Sequence, residues 1–345
     1  MIHADIPQIK QRNRMASTIT VEDIHRAEIR LRGVAVRTHL IEFKLCDADS
    51  RRLYLKPENQ QPIGAFKLRG AYNKIALLSD EDRKRGVISY SSGNHAQGVA
   101  YAARALGVKA VIVMPNNAPA IKREATAALG AEIVIVGPGS TERQIRAEEL
   151  AKQHGYVIVP PYNDEQIIAG QGTMGLEILE DLPEVQTVLA PVGGGGMISG
   201  VAAAIKLSKP SVKVIGVEPE VAADAQASLR AGQIVQFPAS EVSRTIADGL
   251  RTQSIGAINF EHIRRYVDDI VTVSEDEIRQ AVRYLSDNPA TVAEPSGAVA
   301  VAGFIFHAHQ LPPGSPSVAI ISGGNIEPKM LEELRRGSPI APGQR

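Results

Sequence analysis

The chain has 345 residues, of which 44% are hydrophobic and 22% charged, a composition typical of a globular protein of about two domains rather than a disordered one. Its 38 Lys and Arg balance 38 Asp and Glu, which argues against a general nucleic-acid binder. The single cysteine, Cys46, excludes an intramolecular disulfide and a cysteine-based zinc site. Because the N-terminus lacks a signal-peptide pattern and no long apolar segment occurs, we expect a soluble, cytoplasmic protein without membrane contact.

The first informative segment in chain order is 61–71. Gly64 leads into a pattern that predicts a helix to about residue 78, with Lys67 close to its beginning. A lysine gains nothing from the helix dipole at this end, which favours anions. By its spacing alone Lys67 would be a solvated surface group, and only its combination with later segments gives it a chemical role.

From residue 87 onwards, short β-branched segments alternate with helical patterns. The predicted strands span residues 87–90, 110–114, 132–136, 187–190, 212–217 and 317–321. Gly107 and Gly130 stand where helix C-caps belong. Because the strands are continuously apolar, we expect each to be buried on both faces of a parallel sheet that helices cover. The predicted fold class is α/β.

Three of these strands end directly in loops of Ser, Gly and Asn. The loops are residues 91–95, 193–197 and 322–325. Because ligands bind at the carboxyl ends of strands in open parallel sheets, we expect the three loops to share one cleft. The four glycines at 193–196 let backbone amides approach an anion, and the helix that follows adds its dipole. This loop therefore predicts a phosphate site.

The kind of phosphate can be narrowed by the spacing of the glycines. The chain has no Gly-x-x-x-x-Gly-Lys-Ser/Thr pattern, which excludes a P-loop for nucleoside triphosphates. In a dinucleotide fingerprint read from Gly193 or Gly194, the third glycine would fall on Ile198 or Ser199, so the fingerprint fails. Glu218 nevertheless ends the next strand where a ribose-binding acid would stand. An NAD-dependent oxidoreductase therefore stays open as a remote alternative.

A lysine, a phosphate loop and a serine at a strand end together suit pyridoxal phosphate, which needs an amine, a phosphate anchor and a partner for its pyridine nitrogen. Over residues 20–335 the chain resembles the fold-type II pyridoxal-phosphate enzymes, in particular the threonine and serine dehydratases and serine racemases. Their motif Ser-Phe-Lys-x-Arg-Gly is similar to Ala65-Phe66-Lys67-Leu68-Arg69-Gly70 here. The resemblance implies that Lys67 forms the Schiff base with the cofactor and removes the substrate Cα proton.

The resemblance also implies the other site residues. Asn94 would hydrogen-bond the phenolic oxygen of the cofactor, while Ser91 and His95, in the same loop, would bind the substrate carboxylate. Ser322 would face the pyridine nitrogen, and a neutral hydroxyl there favours β-elimination over transamination. The residues expected to surround the cofactor and its phosphate are Phe66, Gly193, Gly194, Gly195, Gly196 and Met197.

The reaction implied by the resemblance is the β-elimination of L-threonine, L-serine or a related β-hydroxy amino acid to a 2-oxo acid and ammonia. Two alternatives stay open. Ser92, a further substrate-binding residue of the same loop, could act as the acid on the face opposite Lys67, which would make the enzyme a serine racemase. Residues 63–65, Ile-Gly-Ala, replace a more polar family pattern, so a bulkier substrate such as hydroxyaspartate or phenylserine is also open.

A metal site is implied by one further motif. The racemases resembled here bind a divalent cation through the pattern Glu-Pro-x-x-Ala-x-Asp, which residues 218–224 match. Glu218, the backbone carbonyl of Ala222 and Asp224 would be the ligands, and such oxygen ligands suit Mg²⁺, Mn²⁺ or Ca²⁺. The competing interpretation is an acidic first turn of a helix that begins near Ala222, stabilised by the helix dipole.

The resemblance finally implies two open twisted α/β domains of the tryptophan-synthase-beta-like kind. Residues 1–85 and 164–345 would form a large domain that binds pyridoxal phosphate, and residues 86–163 a small α/β domain. Cofactor and substrate would bind in the cleft between the two domains. The family usually dimerises, so we expect a homodimer whose other partner is a small amino-acid substrate.

Overall fold

The computed structural model describes residues 18–44, 51–91, 93–118, 120–137 and 140–336. Within these residues the strands are β1 (Ile41–Phe43), β2 (Leu53–Pro57), β3 (Val87–Tyr90), β4 (Ala110–Pro115), β5 (Glu132–Val136), β6 (Val157–Ile158), β7 (Thr187–Pro191), β8 (Lys213–Pro219), β9 (Asp269–Val273) and β10 (Ser317–Ile321). Helices alternate with strands over most of this length, which confirms the predicted α/β class.

The helices of the same residues fall into two groups along the chain. Those before β7 are α1 (Val21–Leu31), α2 (Lys67–Ala76), α3 (Asp80–Arg85), α4 (Asn94–Ala105), α5 (Ala120–Ala128), α6 (Ser140–His154) and α7 (Glu165–Asp181). Those after β7 are α8 (Gly196–Ser208), α9 (Asp224–Ala231), α10 (Ala239–Val242), α11 (Ala257–Tyr266), α12 (Glu275–Leu285), α13 (Pro295–Phe306) and α14 (Pro328–Arg336).

The strands form two separate sheets. The order of the six-stranded sheet is β1-β2-β10-β7-β8-β9, and that of the four-stranded sheet is β5-β4-β3-β6. Neighbouring strands pair in parallel except β1 and β2, which pair antiparallel. The strands predicted from the sequence all pair in parallel, and the antiparallel pair consists of two strands that were not predicted. The segment between β1 and β2 is too short for the crossover helix that a parallel pair requires.

Burial on both faces holds for the central strands but not for every strand. Each residue of β4, β7 and β10 is buried, as their apolar sequences predict. In β5 each residue is exposed or half-buried, and Ile135 is 46% exposed. β5 is the outermost strand of its sheet, where fewer neighbours cover it, so the prediction of a doubly buried strand is wrong there.

The helix boundaries differ from the predicted ones by a few residues. Gly107 and Gly130 take positive φ angles of 65° and 89° after α4 and α5, as the prediction of helix C-caps requires. The apolar pattern predicts this helix over residues 96–106, whereas α4 begins two residues earlier, at Asn94, because its first turn is polar. The helix predicted from Ala222 begins at Asp224, because a separate 3-10 turn occupies Glu220–Ala222.

The four-stranded sheet is formed by one continuous stretch of chain inserted between strands of the six-stranded sheet. Strands between Val87 and Ile158 make up the four-stranded sheet, and the strands of the six-stranded sheet lie on both sides of that segment in the chain. The domain boundaries at 85/86 and 163/164 stay a prediction. Across the described ranges, none of the helices has the length and apolar character needed to span a bilayer.

Candidate active site

A cleft of about 780 Å³ is lined by residues that follow strands of both sheets. Most of the residues predicted for the site lie along it. They are Phe66, Lys67, Ser91, Asn94, His95, Gly193, Gly194, Gly195, Gly196, Met197 and Ser322. Ser92 lies outside the described residues, and its assignment stays a prediction. The structure thus brings the three strand-end loops and the lysine together in one place.

Lys67 is the first residue of α2, and two hydrogen bonds fix it, one from the preceding backbone amide and one from its own side chain. The Phe66 amide donates to the Ser322 carbonyl at 3.1 Å, which ties the beginning of α2 to the end of β10. The Lys67 ammonium donates to the Pro161 carbonyl at 2.8 Å. Removal of this ammonium from water lowers the pKa of Lys67 to about 8. The residue is therefore not the solvated lysine that its spacing alone indicates, and it holds an amine that is easily deprotonated.

The glycine loop is too crowded for side chains. A Cβ at Gly194 would lie 2.2 Å from the Tyr162 ring, and one at Gly196 would lie 2.9 Å from the Tyr162 Cβ. Gly195 has a φ of +90° and precedes α8 as its N-cap, a conformation that side chains disfavour. The backbone amides of this loop lie at the positive end of α8. The loop therefore suits the phosphate group of a cofactor.

Asn94 occupies the first position of α4 rather than its cap, which is Gly93. Its side-chain oxygen accepts from the Asn325 amide at 2.8 Å, and its side-chain nitrogen donates to Glu294. These two partners fix which end of the Asn94 amide carries the hydrogens. Because that nitrogen has two hydrogens, it can donate the second one to a ligand in the cleft.

His95 is buried, and its Nε2 lies 3.0 Å from the Val159 carbonyl. Burial, together with the positive charge of Lys67, lowers the pKa of His95 to about 3, so its ring is neutral. His95 cannot attract a substrate carboxylate by charge. The neighbouring Ser91 hydroxyl accepts from the Gly93 amide at 3.3 Å. The backbone amides at the beginning of α4 are then the groups of this loop that favour a carboxylate.

Ser322 follows β10 and is nearly buried at the edge of the cleft. Its hydroxyl donates to the Ser296 carbonyl at 3.4 Å, a long hydrogen bond that a closer acceptor could replace. An amine, a glycine cradle, a side-chain amide and a neutral hydroxyl thus line one cleft. This donor set matches the amine attachment, phosphate anchor and pyridine partner that pyridoxal phosphate needs.

Several residues of the cleft escaped the sequence analysis, and Glu294 is the foremost of them. It is buried, and its pKa is raised to about 7 by burial and by the charge of Asp248. Lys122 lies 4.0 Å from the same carboxylate and forms an ion pair with Asp248. The one sequence signal at Glu294 is the following Pro295, which marks a helix start rather than a site.

Residues 63–65, which we expected to widen the substrate pocket, do not line the cleft. Ile63 and Ala65 are buried in a small hydrophobic cluster with Leu68, and neither lines the cleft. Their apolar side chains therefore pack in the protein interior and do not contact a substrate in the cleft. These residues therefore do not bear on the size of the substrate, and a bulkier substrate such as hydroxyaspartate stays an alternative.

A buried cluster of four charged side chains is centred on Arg69, in the first turn of α2. The Arg69 guanidinium donates to both oxygens of Glu58 at 2.8 Å and to the two oxygens of Glu177 at 2.7 and 2.8 Å. The Lys56 ammonium also donates to Glu177. Because Arg69 lies two residues after Lys67, this cluster fixes the turn of helix from which the Lys67 side chain leaves.

The predicted metal ligands are not among the residues that line the cleft. Glu218 and Asp224 are both fully buried, and the Glu218 oxygens accept from the Ala225 and Gln226 amides at 3.1 and 2.8 Å. Neither oxygen of Asp224 has a hydrogen-bond partner among the described residues. Burial raises the pKa of Asp224 to about 7, and burial and the Asp224 charge raise the pKa of Glu218 well above its usual range.

These contacts bear on the three interpretations of Glu218, as a partner of the helix dipole, a ribose-binding acid and a metal ligand. It binds the first turn of α9, as the helix-dipole interpretation proposes. Both of its oxygens accept from backbone amides inside the protein, and Glu218 is not among the residues that line the cleft, so it does not serve as a ribose-binding acid. The described residues contain no group of three or more His, Cys, Asp or Glu side chains placed to hold a metal. The predicted ligand set differs from such a group because it combines two carboxylates with a backbone carbonyl.

Comparison with known proteins gives consistent similarities. A sequence profile for pyridoxal-phosphate dependent enzymes matches residues 33–323. The chain is 46% identical to an L-threonine ammonia-lyase of Thermotoga maritima, over 95% of this chain and 80% of that protein. It is 40% identical to an L-threo-3-hydroxyaspartate ammonia-lyase of Saccharomyces cerevisiae, over 94% and 98% of the two chains. The structure of maize serine racemase superimposes with a TM-score of 0.87 at 36% identity, covering 92% of this chain and 97% of that one.

Proposed function

The chain belongs to the pyridoxal-phosphate dependent enzymes, and we propose that it converts a β-hydroxy amino acid, in the first place L-threonine or L-serine, to a 2-oxo acid and ammonia. The observation that carries this proposal is the convergence of Lys67, the glycines of 193–196 and Ser322 on one cleft. The relatives that act on threonine and hydroxyaspartate support an ammonia-lyase.

Lys67 has two proposed roles. Its amine is the attachment point for the cofactor aldehyde, and it later takes the proton from the substrate Cα. Bound pyridoxal phosphate supplies a conjugated ring that stabilises the negative charge left on Cα. A pKa of about 8 keeps part of the amine unprotonated near neutral pH, which a general base requires. The Pro161 carbonyl accepts from this nitrogen and orients it.

The other residues bind and orient in this proposal. Backbone amides of residues 193–196 and the beginning of α8 hold the phosphate, and the beginning of α4 holds the substrate carboxylate. Asn94, fixed by Asn325 and Glu294, donates its second amide hydrogen to the phenolic oxygen. Ser322 offers a neutral hydroxyl to the pyridine nitrogen. A weak partner there leaves less electron density withdrawn into the ring, which favours loss of the β-hydroxyl over transamination.

The first prediction tests this function on the purified protein. We expect pyridoxal phosphate to produce an absorption band in the visible region, because attachment to an amine extends the conjugation of the ring. L-threonine and L-serine should then yield 2-oxobutanoate and pyruvate with release of ammonia. Chiral chromatography of the remaining serine measures racemisation in the same reaction. A protein that stays colourless with added cofactor would contradict the proposal, and D-serine formed faster than pyruvate would favour the racemase alternative.

A second proposal concerns a divalent cation, held by Glu218, the Ala222 carbonyl and Asp224. Two neighbouring buried carboxylates, of which Asp224 raises the pKa of Glu218 by its charge, are unfavourable without a counter-charge. The unpartnered Asp224 oxygens, by their chemistry, suit a hard cation such as Mg²⁺, Mn²⁺ or Ca²⁺. Because these residues do not line the cleft, the cation would stabilise the fold beside β8 and would not take part in the reaction.

Chelation tests this site. We expect EDTA to lower the free energy of unfolding by about 2–3 kcal/mol, since a ligand present at about 100 times its Kd stabilises by that amount. Added Mg²⁺, Mn²⁺ or Ca²⁺ should restore the original melting temperature. Asp224→Asn is the matched variant, because it keeps the shape of the side chain, and it should respond to neither treatment. A wild-type melting temperature that EDTA does not change would return Glu218 and Asp224 to the helix-dipole interpretation.

The homodimer and the cytoplasmic location that the resemblance implies stay predictions. The relatives support a small amino-acid substrate as the binding partner of the cleft. The choice between threonine, serine and hydroxyaspartate rests with the product assay, because the residues that we expected to enlarge the pocket do not line it.

A further inference from the structure

Lys122 is a buried cation of the cleft to which the proposed reaction gives no role. It lies on α5, beside the four-stranded sheet, and its side chain is only 9% exposed. Its ammonium donates to Asp248, which lies on the 3-10 turn Asp248–Leu250 that precedes α11. Both residues line the cleft. The ion pair therefore joins an element of one sheet to an element on the other side of the cleft.

Lys122 also lies beside the loop that is proposed to bind the substrate. A Cβ built on Gly93 would be 3.8 Å from the Lys122 ammonium nitrogen. The same nitrogen is 4.0 Å from Glu294, which accepts from Asn94. Two contacts therefore cross the cleft here, the hydrogen bond from Asn94 to Glu294 and the ion pair of Lys122 with Asp248. The charges of Asp248 and Glu294 outweigh the effect of burial and raise the pKa of Lys122, so it stays charged.

Asp248, the acidic member of the ion pair, belongs to the segment 232–256, which has little regular structure. Between α9 and α11 the chain contains one four-residue helix and one 3-10 turn, and much of it lines the cleft. Long segments of this kind within compact domains are commonly functional. Asp248 is held there by few contacts, since its side chain is 39% exposed and its second oxygen lies 3.5 Å from the Ser296 hydroxyl.

We propose that Lys122 is a positioning residue that ties α5 to the 232–256 segment and thereby sets the affinity for the substrate. This inference rests on the proposed function for the identity of the ligand. The proposed cofactor anchors at 193–196 and Ser322 follow strands of the six-stranded sheet, whereas the substrate loop at 91–95 follows β3 of the other sheet. The ion pair across the cleft therefore fixes the distance between the substrate loop and the cofactor. Its loss should not change the residues that hold the cofactor.

The test compares Lys122→Met, Asp248→Asn and the double variant. We expect each single variant to raise the Kd for an amino acid about tenfold, as for loss of a partly buried ion pair, with the cofactor absorbance unchanged. The double variant should be no weaker than the single ones, because both remove the same pair. Lys122→Arg keeps the positive charge and should have the same Kd as the wild type. L-alanine, which carries no β-leaving group, is the probe, and its binding is followed by the change in cofactor absorbance.

A control variant and a second measurement separate this inference from the proposed function. Lys109→Met removes an exposed ion pair with Glu132 outside the cleft lining and should leave the Kd unchanged. Hydrogen exchange of residues 239–254 should become severalfold faster in both single variants, whether or not an amino acid binds. Wild-type protein that binds no amino acid would contradict the proposed function. The exchange rates would still show whether the ion pair of Lys122 and Asp248 holds the 232–256 segment.

Three results would overturn the inference. These are an unchanged Kd and unchanged exchange in both single variants, effects of the two variants that add in the double variant, and loss of the cofactor absorbance in Lys122→Met. The last result would place Lys122 in the cofactor site. If Lys122→Met does not fold, which its thermal unfolding reveals, Asp248→Asn tests the same ion pair from its more exposed side.

Discussion

Replacing Lys67 by alanine is expected to abolish the elimination reaction, with a loss of more than about 10⁴-fold in kcat/KM. The variant lacks both the amine to which the cofactor would be attached and the base that would take the Cα proton. Since Lys67 is half-buried at the beginning of a helix and forms one hydrogen bond, to Pro161, its truncation should leave the fold intact. Timed formation of 2-oxo acid from L-threonine measures the loss, and thermal unfolding checks the fold.

Covalent labelling decides whether Lys67 is the attachment point. Borohydride reduction of the wild-type protein with bound cofactor should add the mass of the cofactor to the peptide that contains Lys67. Lys74 on the same helix is the matched control, because it pairs with Asp164 and Lys74→Ala should retain both label and activity. Label found on Lys56 or Lys74 would contradict the assignment.

The second large effect is expected from Arg69, which the reaction itself does not use. Arg69→Met removes the guanidinium between Glu58 and Glu177 and leaves the buried Glu58 carboxylate without the cation to which it is hydrogen-bonded. Breaking a buried ion pair from one side destabilises by about 3–5 kcal/mol, because the remaining charge has lost its compensation. We expect a decrease of that size in the free energy of unfolding, measured by urea denaturation of the cofactor-free protein.

Lys74→Met serves as the control for Arg69 as well. It removes an ion pair from the same helix, but both of its partners are partly exposed, so about 1 kcal/mol or less is expected. Equal effects of the two variants would show that the four-charge cluster gives the beginning of α2 no special support. A variant at Arg69 that is stable but inactive would instead indicate that the cluster acts by orienting Lys67.

The parts of the site that the sequence could predict are those governed by local backbone demands. The glycine loop was predictable because consecutive glycines stand between an apolar strand and a helix, where the positive φ at Gly195 favours glycine. The same holds for the C-cap glycines at 107 and 130. Strand ends were predictable because apolar runs stop abruptly there. Each of these signals is contained within a few neighbouring residues.

Contacts between distant residues were not predictable in this way. Glu294 and Asn325 hold Asn94 across 200 and 231 residues of the chain, and no local pattern marks such a pair. For the same reason the burial of His95 and the partnership of Lys122 with Asp248 appear only in the folded chain. The orientation of residues 63–65 towards the interior likewise depends on packing and not on their own sequence.

The position of β10 has a consequence for how the protein is made. In the six-stranded sheet this strand lies between β2 and β7, and its register pairs Ser317 with Leu53 on one side and with Thr187 on the other. During synthesis on the ribosome, β2 emerges long before the strand that it needs as its parallel neighbour. Pairing across so much chain closes a very large loop, which makes this step slow. β2 and β7 therefore lack their shared neighbour until β10 is released, and Ser322 can join the cleft only when β10 has inserted between them.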